Sequence, residues 1–336
     1  MANAPPVNGW IILDKPVGLG STQAVSAVKR NLREAGFNMK LKGGLKVGHG
    51  GTLDPLAEGV LPIAIGEATK LTGRMLDASK IYDFTIRFGV QTDTLDAEGE
   101  VVETSEHLPT RDAVLAVLAR FTGPIEQIPP IYSALKVDGR RAYDLARAGE
   151  AVEMKTRAVE VYTLSPLPFR GGAGGGGCAS TAAPDIPRPN PSPEGEGLLD
   201  ITLRAHVSKG TYIRSLARDI AHALGTVGHV TYLRRIKAGP FSQEQAISLD
   251  KLNEIGKGAR LEDLLLPLEA GLDDIPALSL DPDSVQAVRQ GRVISGLPHA
   301  DGLYCAMRGT IPVALMELTG GTAKVVRGFN LPDVAE

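Results

Sequence analysis

Asp54 lies in Gly48-His49-Gly50-Gly51-Thr52-Leu53-Asp54-Pro55-Leu56-Ala57-Glu58-Gly59, a stretch well suited to holding a reactive group. Its glycines permit backbone conformations closed to other residues and let a ligand approach closely. Pro55 biases Asp54 away from helix and toward extended backbone. A carboxylate fixed on such a loop can serve as nucleophile or general base. An Asp-Pro pair also starts ordinary turns, and composition alone does not choose between the two. The stretch lacks the Gly-Lys-Ser/Thr of a phosphate-binding loop and the spaced glycines of a dinucleotide fold. Glu58 lies four residues on, but nothing makes the two acids a glycosidase pair. His49 has no second ligand at metal spacing, so its expected role is stacking on RNA or a structural hydrogen bond.

A second group is Ser208-Lys209-Gly210-Thr211-Tyr212-Ile213-Arg214. A strand is expected to end at Val207 and a helix to begin near Thr211. Amides at a helix start, with Lys209 and Arg214 beside them, favour an anion or a carboxylate partner. An arginine beside Asp54 would lower the pKa of that acid and keep it ionised. A capped helix with a surface arginine fits the same residues. Tyr82, in Ser79-Lys80-Ile81-Tyr82, stands at the mouth of a strand, where stacking on a base is worth about 1–3 kcal/mol. A core or rim aromatic is the plainer alternative.

The elements that must position these groups are readable from periodicity. Trp10 to Leu13 is a short apolar strand, ended by Asp14-Lys15-Pro16 and Gly18. Ser21-Thr22 is expected to cap a helix through Val25 and Val28. Val47 to Gly51 reads as glycine-rich loop and Val60 to Ile65 as a further apolar run. Tyr82 to Gly89 and Leu199 to Val207 alternate as strands with one buried face. Arg111 to Phe121 and Ile213 to Leu224 read as helices. Strands and helices mix without a regular βαβ rhythm, which predicts an α+β fold with a mainly antiparallel sheet. Residues 171–197, rich in glycine and proline, cannot bury enough surface to offset their ordering entropy and read as a disordered insertion in a hairpin. A domain linker is the alternative. Leu249 to Leu268 reads as helical and acidic, and from Ala277 short strands with turns recur. The expected division is a catalytic domain at 9–248, a connecting segment at 249–276 and a small β domain at 277–330.

Length and composition frame this reading. A chain of 336 residues, 43% hydrophobic and 22% charged, suits a soluble protein of two domains with a mainly aliphatic core. No signal peptide and no membrane-length apolar run is present, so a cytoplasmic location is expected. Cys178 and Cys305 cannot make a disulfide framework or a cysteine-rich zinc site. The net charge of −3 does not favour a polyanion, but phosphate contacts depend on local patches. Between Lys29 and Lys46 six bases face the single acid Glu34, a local net charge of +5. Further bases cluster at Arg140-Arg141 and at Arg234-Arg235-Lys237, whereas Asp93 to Glu106 and Glu262 to Asp283 are acidic. Each cluster alone is compatible with a solvated face. Several beside glycine-rich motifs point to a polyanionic partner.

Taken in order, these segments resemble the bacterial B-type tRNA pseudouridine-55 synthase family. The match runs through Ile12-Leu13-Asp14-Lys15-Pro16, Gly48 to Pro55, Gly66-Glu67-Ala68-Thr69-Lys70 and Lys80-Ile81-Tyr82. It continues through Gly89 to Thr94, Ile128-Pro129-Pro130-Ile131-Tyr132-Ser133-Ala134-Leu135-Lys136, Ser208 to Arg214 and Val230-Thr231-Tyr232-Leu233-Arg234-Arg235. The resemblance implies a pseudouridine synthase fold, with a mixed, mainly antiparallel sheet flanked by helices and a PUA-like C-terminal β domain. It implies an isomerase that acts on uridine 55 in the T loop of the tRNA T arm, with no cofactor and no metal. Asp54 would attack C1′ or abstract the C2′ proton. Arg214 would pair with Asp54, Tyr82 would stack on the flipped uracil, and Leu233 and Tyr212 would line the pocket. His49 would insert where the target base leaves the stack, and Lys15 joins the substrate-binding set. An enzyme acting on a stacked nucleotide must first extrude it. Lys29 to Lys46 and Arg140-Arg141 would then contact the RNA backbone.

Two features depart from the family pattern. The family has His-Thr-Gly where this chain has His49-Gly50-Gly51, with the spacing to Asp54 kept. The 171–197 insertion has no counterpart in it. A noncatalytic RNA-binding protein and a carbohydrate or phosphate enzyme using Asp54 and Glu58 are the rival classes. The first has no need of the acid, and the second lacks supporting motifs. A monomer is expected.

Overall fold

Alternation and helical periodicity translate into the following elements. The computed structural model describes residues 7–39, 43–133, 135–137, 139–150, 152–167 and 197–331, so the expected insertion lies, apart from Gly197, outside the described residues. The strands are β1 (Gly9–Lys15), β2 (Val47–His49), β3 (Glu58–Ile65), β4 (Lys80–Phe88), β5 (Val90–Thr92), β6 (Val101–Thr104), β7 (Gly123–Gln127), β8 (Lys136–Val137) and β9 (Arg140–Arg141). They continue with β10 (Arg157–Pro166), β11 (Asp200–Val207), β12 (Gly228–Ala238), β13 (Phe241–Ser242), β14 (Ala277–Ser279), β15 (Ile294–Ser295), β16 (Gly302–Arg308), β17 (Ile311–Thr319) and β18 (Thr322–Gly328). The helices are α1 (Ser21–Glu34), α2 (Thr72–Asp77), α3 (Arg111–Leu118), α4 (Ala142–Arg147), α5 (Ile213–Ala223), α6 (Leu249–Gly256) and α7 (Pro282–Arg289). The fold class is α+β, with antiparallel pairing dominant. Among the described residues no helix is long and apolar enough to cross a membrane.

The chain folds into two compact units, each discontinuous in sequence. The first comprises Met1–Pro55, Gly59–Ala78 and Lys237–Glu336; the second comprises Leu56–Glu58 and Ser79–Ile236. In the first, β1 runs antiparallel to β3 from Gly9↔Ile65 to Lys15↔Gly59, and β2 lies on β3 with His49 opposite Ile63. Trp10 is fully buried, its ring 5.1 Å from that of Phe241 and its indole N–H donating to the Leu268 carbonyl at 3.1 Å. Ile12, Val60, Ala64 and Leu71 complete the aliphatic centre, joined by Leu315 and Phe329. Burying each of the larger side chains is worth about 1.5–3 kcal/mol. A five-stranded sheet of order β14-β16-β17-β18-β15 forms the C-terminal β domain. Asp281 caps α7 with Pro282 in its first turn, and α7 buries Val285 and Val288 in a core shared with Ala314 and Met316.

In the second unit the strand order is β12-β4-β11-β10-β7. Strands β4 and β11 pair from Lys80↔Val207 to Arg87↔Asp200, and β10 and β11 form the expected antiparallel pair. Phe84, Ile86, Phe88, Leu203 and Ala205 are buried. On the polar face, Thr85 and Thr202 hydroxyls meet at 2.8 Å, and Arg204 binds Asp83 through two bonds of 2.7 and 2.8 Å. Such cross-strand pairs hold the register. Helix α5 buries Ile213, Leu216, Ala217, Ile220 and Ala221, the 3–4 spacing of one face, and packs on β4 and α3.

Four local expectations change. Val47 to His49 is strand, not loop, because its backbone pairs with β3. Helix α3 ends at Leu118, and a 3₁₀ turn covers Ala119–Phe121. Helix α6 ends at Gly256 rather than near Leu268; Gly258 follows in the left-handed region at φ 102°, the conformation that ends helices, and short 3₁₀ turns replace the rest. Ser21 does not cap α1. Gly20 is the cap residue, with its N–H bound by the Gln23 side chain at 2.7 Å.

Candidate active site

Ser21 has a different task from capping. It is 3% exposed, and its hydroxyl accepts from the Leu53 N–H at 2.7 Å while donating to the Leu53 carbonyl at 2.9 Å. One side chain thus satisfies both backbone groups of the residue before Asp54. On the other side, the Pro55 carbonyl accepts from the Gly18 N–H at 2.8 Å and from Lys15 Nζ at 3.4 Å. Lys15 is fully buried, and its ammonium also donates to the carbonyls of Pro16 (2.9 Å) and Leu19 (2.6 Å). The residues flanking Asp54 are therefore held through their backbone groups, while Asp54 itself is half-buried. Ser21 was missed at the sequence level because Gly-Ser before a helix reads as a cap; its true partner lies 32 residues away.

The glycine pair after His49 has a packing reason. A Cβ on Gly50 would lie 2.6 Å from the Met75 Cβ, so Met75 fills the space that a threonine side chain would need. His49, half-buried at the end of β2, accepts a bond from the Gly51 N–H through Nδ1 at 3.4 Å, a structural hydrogen bond of the kind expected.

In the second unit, Arg214 stands in the first turn of α5 and is 5% exposed. Its guanidinium donates to Asp96 Oδ2 (3.1 Å) and the Thr94 carbonyl (2.8 Å) through one nitrogen, and to the Tyr132 carbonyl (3.0 Å) through another. Asp96 is 2% exposed, and its other oxygen accepts from the Thr94 hydroxyl at 2.6 Å and the Glu98 N–H at 3.1 Å. The Asp96 carbonyl accepts from the Thr92 hydroxyl at 2.6 Å. The reading of Arg214 as a surface arginine is thus corrected: buried, it needs a charge partner, and Asp96 supplies one. The acidic run from Asp93 is likewise not uniformly solvated. Leu95 occupies the left-handed region at φ 63°, a cost of about 1–2 kcal/mol for a residue with a Cβ. Its carbonyl accepts from the Val230 N–H at 3.0 Å, and the turn it makes carries Asp96 inward.

Tyr212 is the cap residue of α5, and its backbone N–H and carbonyl are both bonded by the Gln127 side chain, at 2.8 and 3.1 Å. Tyr82 is half-buried on β4 opposite Ala205, and Leu233, 6% exposed, lies on β12, the strand beside β4. Lys15, His49 and Asp54 therefore belong to the first unit, and Tyr82, Tyr212, Arg214 and Leu233 to the second. Glu58 is bound by Arg234 at 3.2 Å, both side chains being largely buried. Burial, with the Glu58 charge added, raises the pKa of the Tyr232 hydroxyl above the usual tyrosine range. Burial and a hydrogen bond with Asp93 raise that of Tyr132. Burial also lifts the Asp219 carboxyl on α5 against the pull of Arg218. Among the described residues no cluster of three or more His, Cys, Asp or Glu is placed to hold a metal ion.

Known proteins match this chain over nearly its whole length. The TruB family pseudouridylate synthase N-terminal domain matches residues 37–213, and the tRNA pseudouridylate synthase B C-terminal domain matches residues 214–273. A tRNA pseudouridine synthase B of Novosphingobium aromaticivorans is 63% identical over 98% of this chain and 100% of its own length. One of Zymomonas mobilis is 53% identical over 96% of each chain. Among solved structures, a chain of a Cbf5-Nop10-Gar1 complex is 26% identical with a TM-score of 0.65, covering 96% of this chain and 85% of that one. A chain of an H/ACA RNP bound to a substrate RNA containing 2'-deoxyuridine shares the fold at 24% identity and a TM-score of 0.64, over 96% and 85% of the two chains. By sequence along its length and by fold, this chain belongs to the TruB family of pseudouridylate synthases.

Proposed function

We propose that this protein isomerises uridine 55 in the T loop of tRNA to pseudouridine, with Asp54 as the catalytic carboxylate. The observation that carries the reading is the grip on both sides of Asp54: Ser21 on Leu53, and Lys15 with Gly18 on Pro55. A backbone so constrained limits where the carboxylate it carries can sit. Relatives named tRNA pseudouridine synthase B support tRNA as the substrate.

The reaction is an isomerisation. The bond from C1′ to N1 breaks, the uracil turns, a bond from C1′ to C5 forms, and the C5 proton is lost while N1 gains one. Asp54 either attacks C1′ or takes the C2′ proton. The nucleotide must leave the stack first, which costs a few kcal/mol. In this reading Tyr82 stacks on the extruded uracil, Leu233 and Tyr212 line its pocket, and Arg214 supplies the positive charge that pairs with Asp54. His49 fills the place the base vacates, and Lys15 serves by holding the loop. No metal or cofactor enters the proposed steps.

The test is incubation of tRNA with the wild-type protein and with Asp54→Asn, followed by mapping of pseudouridine. Wild type is expected to modify position 55 and the variant to leave it unmodified while still binding tRNA. Absence of pseudouridine with the wild-type protein would refute the activity. Normal turnover by Asp54→Asn would refute the residue assignment alone.

A further inference from the structure

Gln127, the last residue of β7, is 1% exposed. A buried primary amide must find partners for both its oxygen and its nitrogen. Here both find the same residue. Gln127 Oε1 accepts from the Tyr212 N–H at 2.8 Å, and Nε2 donates to the Tyr212 carbonyl at 3.1 Å. The side chain therefore does for Tyr212 what a neighbouring strand would do, and it fixes the peptide planes on both sides of that residue. That carbonyl also accepts the first helical bond, from the Leu216 N–H at 3.0 Å. The next residue reinforces the junction, since the Ile128 carbonyl accepts from the Ser215 hydroxyl at 2.8 Å and from Arg218 at 3.1 Å. Arg214 lies two residues beyond Tyr212 in the first turn, so the angle at which α5 leaves its cap sets where the guanidinium starts.

We propose that Gln127 is a positioning residue for the reaction: by holding the backbone of Tyr212 it sets the orientation of Tyr212 and Arg214, and it touches neither the nucleotide nor the reacting atoms. The inference rests on the reading of Tyr212 and Arg214 as residues of the uridine site. A hydrogen-bonded side chain at this spot could merely stabilise the fold, and the two roles separate experimentally. A misplacement of about 1 Å far from the chemistry can cost on the order of 100-fold in rate, whereas a stabilising residue changes the melting temperature and leaves the rate of the folded protein alone.

Gln127→Glu is nearly isosteric. Its ionised carboxylate still accepts from the Tyr212 N–H but cannot donate to the carbonyl, and burial against that carbonyl raises its pKa above the ordinary glutamate value of about 4.3. Protonation restores the missing donor. The experiment is single-turnover pseudouridine formation on tRNA by wild type, Gln127→Glu and Gln127→Leu between about pH 8 and pH 6, with tRNA affinity and melting temperature measured alongside. Groups common to the proteins, namely Arg157 across the strand pair and Arg214, Arg218 and Asp219 on α5, cancel when rates are taken as ratios to wild type at each pH. The expected result is a rate roughly 10–100-fold below wild type for both variants at the upper pH, with tRNA affinity kept within about twofold. The Gln127→Glu ratio rises toward wild type as the pH falls, and the Gln127→Leu ratio stays flat. Folded variants with wild-type rates overturn the proposal, as does a rate loss that follows the melting temperature or tRNA affinity with no pH-dependent recovery. If wild type itself makes no pseudouridine, the underlying function fails instead, so the two failures are distinguishable.

Discussion

The loop that carries Asp54 and the helix start that carries Arg214 are held by opposite means. Around Asp54 the grip falls on backbone: Ser21 takes both polar groups of Leu53, and Lys15 and Gly18 take the carbonyl of Pro55. Around Arg214 the grip falls on the side chain itself, through Asp96, the Thr94 carbonyl and the Tyr132 carbonyl. The difference follows from charge. A buried guanidinium must be paired where it sits or pay a large desolvation cost. A half-buried carboxylate can be positioned through the backbone of its neighbours. The arginine side is therefore electrostatic and the aspartate side conformational, and the two should fail differently when cut.

The largest effect should come from Asp54→Asn, a loss of pseudouridine formation of roughly 10⁴-fold or more. Because the loop is held through its backbone, this variant should lose less stability than any cut on the arginine side, as a urea titration would show. Next is Asp96→Asn, which keeps the shape but removes the buried Asp96 charge that Arg214 binds at 3.1 Å. About 3–5 kcal/mol of stability should be lost, read from the urea midpoint and slope. Ser21→Ala should cost about 1–3 kcal/mol, since it strands the buried N–H and carbonyl of Leu53, and the turnover that remains should also fall. If it proved as costly as Asp96→Asn, the contrast between the two regions would not stand. The smallest effect is expected for Thr94→Val, which removes one bond to Asp96 and leaves the ion pair in place. A loss of about 1 kcal/mol in the same titration would match, and a loss equal to that of Asp96→Asn would mean that the hydroxyl, not the charge, holds the arginine.

Much of the fold was legible in the chain because it depends on local pattern. The alternation in β4 and β11, the 3–4 spacing in α5 and the recurrent short strands after Ala277 all report one buried face, which neighbouring residues define on their own. Helix α6 was overread because its acidic, leucine-containing continuation keeps helical spacing past Gly258, where the backbone turns left-handed. The supports of the site were the least legible. Asp96 stands among Asp93, Glu98 and Glu100 and looks like one more solvated acid; only an arginine 118 positions later marks it as buried. Gln127 looks like any polar residue before a Pro-Pro pair until it meets Tyr212, 85 positions on.

The sequence by itself determined the family, the α+β class, the order of the motifs and the place of Asp54 in the Gly51-Thr52-Leu53-Asp54-Pro55 run, because residue types and spacings are linear properties. It also left Asp54 with two readings, turn or site, and Arg214 with two, surface or partner. Tertiary structure alone decided that Ser21 grips Leu53 rather than capping α1, that Met75 fills the space beside Gly50, and that Arg214 is buried against Asp96. The physical reason is that hydrogen bonds and ion pairs between segments far apart in the chain exist only once the backbone has closed the loops between them, and no local pattern encodes which distant group will answer.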